Sequence, residues 1–277
     1  MIDARRIRGL TAVVFGAGLT ATAQAAPLSA NPIAVAIRHG ECHTAVDLVI
    51  QGAAANDAPA VYLGGRMLDA GICVRQDGAA AAKFFARAGD LGDPDSSLQY
   101  AAKVGQGEGF EQSYQHAGEI CRAAGLDPQA RLSDYSLGYA CTVRGVASRL
   151  LRENLPAGAF RPDSGPLLVE FNPASPEVSI RQTPEVEIAH EPLTGSHIRR
   201  ARVNPHRAIQ DAWLSAMATV PKPDPGRLDN QVVKLSLDVD MALDRRQVEA
   251  TADPDHTLRP LVPENLGPVM VPLIPHK

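Results

Sequence analysis

Small residues recur through the first half of the chain at a fixed spacing of 36. Ala45, Ala81 and Ala117 form one series, Gly52, Ala88 and Ala124 a second, and Ala53, Gly89 and Gly125 a third. Over two passes Asp57 returns as Asp93, Gly65 as Ala101 and Gly71 as Gly107. A period of this length marks a repeated supersecondary unit. It restricts the fold more than any single motif, because each unit must bury its apolar face against the next.

The segments between these positions read as helix pairs. Ala58–Ala70 places Val61, Tyr62, Gly65 and Leu68 on one helical face, and 77–88 does the same with Ala81, Phe84, Phe85 and Ala88. Segments 97–104 and 112–124 repeat the arrangement. Asp57 with Pro59, and Asp93 with Pro94, fit helix starts. Gly71, Gly89, Gly107 and Gly125 fit helix ends.

Residues 1–25 read as a secretory signal peptide. Arg5, Arg6 and Arg8 precede a 14-residue apolar stretch, 10–23, and Ala23-Gln24-Ala25 forms an A-x-A cleavage site. The stretch is shorter than the roughly 20 residues a membrane span needs. Arg5-Arg6 lacks a twin-arginine continuation, so the general secretory route is expected, with cleavage between Ala25 and Ala26. Loss of Asp3 and the three arginines takes the formal charge from −4 to −6. A periplasmic or secreted location follows. There, four cysteines, Cys42, Cys73, Cys121 and Cys141, read as two disulfides with three pairings open. Metal ligation competes at His39-Gly-Glu41-Cys42-His43, but the chain contains no C-x-x-C.

Ala60-Val-Tyr-Leu-Gly-Gly-Arg-Met-Leu-Asp-Ala-Gly71, followed by 77–81 and Phe84-Phe85-Ala-Arg-Ala88, resembles the Sel-one-like repeat, a relative of the tetratricopeptide repeat. The resemblance covers residues 41–125. A full unit occupies 57–92, a degraded one 93–125, and Cys42–Ala54 looks like the second helix of a truncated unit. It implies a right-handed stack of antiparallel helices whose family role is to hold other proteins together. The competing reading is an Ala-rich bundle without a groove. The repeat reading also implies the disulfides. Cys42 opens one helix and Cys73 follows its antiparallel neighbour, which leaves Cys121 to pair with Cys141 across a short loop.

Beyond about residue 140 alanine runs give way to proline, valine and arginine. A short helix is expected at 143–153, and strands at Leu167–Phe171, 177–181, 185–189 and 233–241. A helix should start at Asn204-Pro205, with Ala208, Ile209, Ala212, Trp213, Ala216, Met217 and Val220 on one face. Leu155-Pro-Ala-Gly-Ala159, Gly165 before the first strand, Val178, Gly195-Ser196, and 208–216 followed by Pro221-Lys-Pro223 resemble the C-terminal domain shared by TonB and TolA, over residues 141–243. The stretch 172–200 is longer and richer in proline than that family's hairpin. The expected fold class is therefore α+β: an N-terminal helical repeat stack, a small antiparallel-sheet α+β domain, and a proline-rich C-terminal tail, 244–277. Strand 233–241, reached last, should lie at a sheet edge, covered by the tail or by 172–200 or open to a partner.

Aromatics are 4% of the chain, with Trp213 the single tryptophan, so a stacked-aromatic platform for nucleic acid or sugar is not expected. A net charge of −4 gives no field for a polyanion. Gly105-Gln-Gly-Glu-Gly109 lies between helices, whereas a phosphate loop follows a strand. His190, His197 and His206 read as surface or capping residues, and Asp238 with Asp240 as the solvated side of a strand. No catalytic, cofactor-binding or metal-ligating residue, and no cofactor, is expected. The expected function is non-enzymatic: an exported envelope protein that binds protein partners and keeps no membrane anchor. The alternatives are an envelope-polymer hydrolase with an unrecognised site, and a TonB- or TolA-like adaptor to membrane machinery.

Overall fold

The computed structural model describes residues 31–127, 132–154, 167–175, 177–182, 205–237 and Leu261. Its architecture is α+β. Helices α1 (Pro32–Arg38), α2 (Cys42–Ala54), α3 (Ala58–Ala70), α4 (Gly78–Asp90), α5 (Pro94–Gln106), α6 (Tyr114–Ala123) and α7 (Asp134–Asn154) come first. Strands β1 (Leu167–Phe171) and β2 (Val178–Gln182), helix α8 (Pro205–Thr219) and strand β3 (Val233–Leu237) follow. Helix α1 was not expected. Asn31 caps it by accepting from the N–H of Ile33 at 2.9 Å, and it buries Ile33, Ala34, Ala36 and Ile37.

The α3–α4 and α5–α6 connections are built alike. Gly71 and Gly107 end α3 and α5 in the left-handed region, at φ 70° and 78°. Gln76 donates its side-chain amide to the carbonyl of Asp69, and Gln112, 36 residues on, to that of Gly105 (2.8 and 3.1 Å). The N–H of Asp77 reaches the carbonyl of Leu68, and that of Ser113 the carbonyl of Val104. Asp77 and Ser113 then cap α4 and α6 by accepting from the N–H of Ala80 and His116. Asp93 caps α5 through the N–H of Ser96, whereas Asp57 holds the cap position of α3 without a side-chain bond.

Packing follows the small residues. Ala45, Ala81 and Ala117 are all fully buried. A Cβ at Gly64 would stand 2.7 Å from Val49 and 2.9 Å from Phe84, so glycine sets the approach of α3 to α2 and α4. One expected helix end is corrected: Gly89 lies inside α4, packed against Ser97, and Gly92 supplies the positive φ that ends the helix. Asn56 supplies it after α2, as asparagine tolerates that region better than most residues.

The short helix expected at 143–153 is also corrected. Helix α7 is 21 residues long, not a short segment at 143–153, and a border at 141 falls inside it. Tyr114, Tyr139, Phe171 and Trp213 form a ladder of ring contacts from α6 through α7 to β1 and α8, with centroids 5.4, 6.0 and 5.2 Å apart in turn. One buried core thus includes side chains of α5, α6, α7, α8, β1 and β3. A second holds α1 to α4. Asp229 ties the α8–β3 connection to α7, accepting from the N–H and hydroxyl of Ser133 at 2.7 Å each.

The sheet is antiparallel in the order β2-β1-β3. Leu167, Val169 and Phe171, with Val233, Leu235 and Leu237, form its buried face, and Lys234 and Ser236 are exposed on the other. Among the described residues strand β3 is an edge, as its place in the chain suggested. Leu261, from the proline-rich tail, is buried in the α1–α4 core and not with β3. At that residue the tail packs on the helices; the rest of 244–277 and most of 172–200, expected to cover the edge of β3, lie outside the described residues.

Candidate functional site

Both disulfides join elements that the helix hairpins bring together. Cys42 is the first residue of α2, and Cys73 lies just past α3 at φ 57°; their Cα atoms are 5.1 Å apart. Cys121 of α6 pairs with Cys141 of α7 at a Cα distance of 6.8 Å. The pairing is the one the repeat resemblance implied. Because Cys42 is bonded to Cys73, it is not a thiolate ligand beside His39, Glu41 and His43, all three exposed. Among the described residues no group of three His, Cys, Asp or Glu side chains is placed to hold a metal ion. Gly105–Gly109 forms the end of α5 and the turn after it. Gly105 lies against Thr142, where any Cβ would collide with the hydroxyl.

A charged cluster not anticipated from the sequence lies among the helices. Lys103 on α5, 3% exposed, is ion-paired with Asp69 on α3 and with Glu108 in the turn after α5. Arg149 on α7 approaches Asp69 and Glu108 at 3.8 Å each. Burial raises the Asp69 carboxyl pKa, but the charges of Lys103, Arg149 and Arg66 outweigh it and hold it below the ordinary value. The cluster cross-links three helices, with Lys103 and Asp69 buried and Glu108 and Arg149 partly exposed, which suits a structural role. One signal was present in the sequence: Lys103 stands 36 residues after Met67, a fully buried core position.

Two exposed apolar side chains, Leu214 and Val232, lie near where β2 meets α8. A cleft of about 500 Å³ there is lined by Glu170, Glu177, Val178, Gln210, Leu214 and Val232, among others. Leu214 and Val232 are 43% and 54% exposed. Among the described residues neither β2 nor β3 pairs with a further strand. A sheet edge offers unpaired N–H and C=O groups to an extended chain, and the two apolar side chains offer contact for it. Ser175 and Ser179 line the cleft beside the two glutamates.

Several residues singled out by sequence lie outside the described residues: the cleavage site Ala25–Ala26, His190, His197, Asp238 and Asp240. The strand expected at 185–189 and the end of strand 233–241 lie there too. His206 belongs to α8 by its backbone. No protein-family model, no curated protein and no solved structure matches the chain.

Proposed function

We propose that the protein is a non-enzymatic, exported envelope protein that holds protein partners, built on a Sel-one-like helical stack. The observation that carries this reading is the 36-residue recurrence of whole connections, described above for Gln76 and Gln112 and for the caps Asp77 and Ser113. A bundle of unrelated helices has no reason to repeat its turn chemistry at one period. The two disulfides support an oxidising compartment, and with it a periplasmic or secreted location. No described helix is long and apolar enough to cross a membrane.

The likeness to the TonB and TolA C-terminal domain has one supporting observation. Helix, two strands, helix and strand follow each other as expected, and the sheet order is β2-β1-β3 with α8 on its buried face. An adaptor that grips partners through this half is the form of the reading it favours.

The experiment is photo-crosslinking in intact cells from positions 214, 232 and 234. A discrete protein adduct that is lost in Leu214→Asp supports partner binding at the sheet end. Absence of adducts at these positions and across the exposed faces of α2, α4 and α6, with the protein folded, rejects the reading.

A further inference from the structure

The cleft between β2 and α8 carries one sign of charge. Glu170 and Glu177 line it, and among the described residues no basic side chain does. Glu177 is exposed, and its carboxylate makes no ion pair among the described residues. Glu170 faces Lys234 at 3.9 Å, and that lysine side chain is 64% exposed. An exposed pair at this distance is weak and readily exchanged. Of the three large apolar side chains exposed among the described residues, two, Leu214 and Val232, line the same cleft.

Apolar surface beside acid suits few ligands. An anion is repelled, and a purely apolar chain leaves the carboxylates without a partner. A long cationic side chain meets both demands, because its methylenes cover apolar surface while its head reaches a carboxylate. The hydroxyls of Ser175 and Ser179 add acceptors for the remaining protons of an ammonium group. We infer that the cleft binds a lysine side chain carried on an extended segment of a protein partner. This names the partner's chemistry and rests on the protein-binding reading above. A basic partner segment also complements a chain whose formal charge is −4. Lys234 is the cation with which it competes for Glu170.

The test is NMR titration of the full chain with the peptide acetyl-Gly-Leu-Lys-Val-Gly-amide at millimolar concentration. Amide shifts are expected at 175–179, 210–214 and 232, and none in α1 to α4. Norleucine in place of the peptide's lysine keeps the methylenes and removes the charge, and should weaken binding at least about fivefold. Glutamate there should abolish it. Glu177→Gln should weaken binding about threefold. Lys234→Ala should tighten it by a similar factor, because the competing cation is gone. Unchanged shifts away from the cleft verify that both variants are folded. Equal binding of the norleucine peptide overturns the inference, and so does the absence of shifts at these positions or indifference to both variants. Adducts from positions 214 and 232 in cells, without lysine-peptide binding, would reject this inference and leave the proposed function standing. Lysine-peptide binding without adducts would do the reverse.

Discussion

Two kinds of residue are held most tightly: buried charges and glycines in contact. Asp69 is the first. Its pKa in the folded protein lies below the ordinary carboxylate value of 3.8. A depressed carboxyl contributes stability above its unfolded pKa and loses it as pH falls through that value towards the folded one. Replacing it with Asn leaves Lys103 with one carboxylate fewer in a buried site, which costs about 3 kcal/mol. Calorimetry of wild type and Asp69→Asn from pH 7 to pH 2 should show a constant gap in Tm that starts to close below about pH 4. A gap that persists unchanged to pH 2 would count against the ion pair. Glycines separate by what surrounds them. Any Cβ at Gly118 would strike the backbone carbonyl of Asp134, and neither backbone yields easily. Gly125 has φ +68° and open space around its Cβ direction. Gly125→Ala should therefore cost about 1 kcal/mol, from conformation alone. Gly118→Ala should cost roughly 3 kcal/mol or more, by overpacking. Denaturant midpoints check the order, and equal losses would mean that α6 and α7 can separate without penalty.

At the scale of elements, the equivalence of the two turns is open to measurement. Gln76→Ala and Gln112→Ala each remove one side-chain bond to a carbonyl at the end of the preceding helix. Each should cost about 1 kcal/mol, and the double variant should cost their sum, since the two sites share no partner. A twofold inequality in chemical denaturation would show that the second unit has drifted from the first in energetics as well as in sequence. Much of this level was legible. The bounds of α2 and α3, the Pro205 start of α8 and the strand at Val233 follow from caps, spacing and alternation, which are local signals, whereas the cysteine pairing came only from the repeat resemblance. What was not legible depends on contacts between distant segments. The full length of α7 escaped because Tyr139, Thr142 and Arg144 interrupt its apolar stripe, and their partners lie far away in sequence: Tyr114 and Phe171 for Tyr139, Gly105 for Thr142 and Ser236 for Arg144. Gly89 was misread because a glycine next to a helix end and a glycine in a helix contact look alike in sequence. The Lys103 cluster escaped because its four members come from three helices and a turn.

The described residues form two buried cores, each with its own disulfide. Cys42 and Cys73 lie in the α1–α4 core, Cys121 and Cys141 in the core shared by α5 to α8 and the sheet. Trp213, the single tryptophan, is fully buried in the second. The packing of α4 on α5, the ion pair from Lys103 to Asp69, and Tyr100, which packs against both, connect the two. The α4–α5 interface is as extensive as the helix contacts within each core, so the cores lose stability separately only where an absent Cys42–Cys73 disulfide lets α1 to α4 open first. The bridges close loops with sequence separations of 31 and 20, and each contributes about 3–4 kcal/mol by restricting the unfolded chain. Removing Cys121–Cys141, as Cys121→Ala with Cys141→Ala, should lower the denaturation midpoint read by Trp213 fluorescence. The paired variant at Cys42 and Cys73 should leave that midpoint within error. It should instead split the far-UV circular dichroism curve, with an early phase from α1 to α4. Equal movement of the fluorescence midpoint in both variants would instead make the chain a single cooperative unit, with the α4–α5 interface as strong as either core.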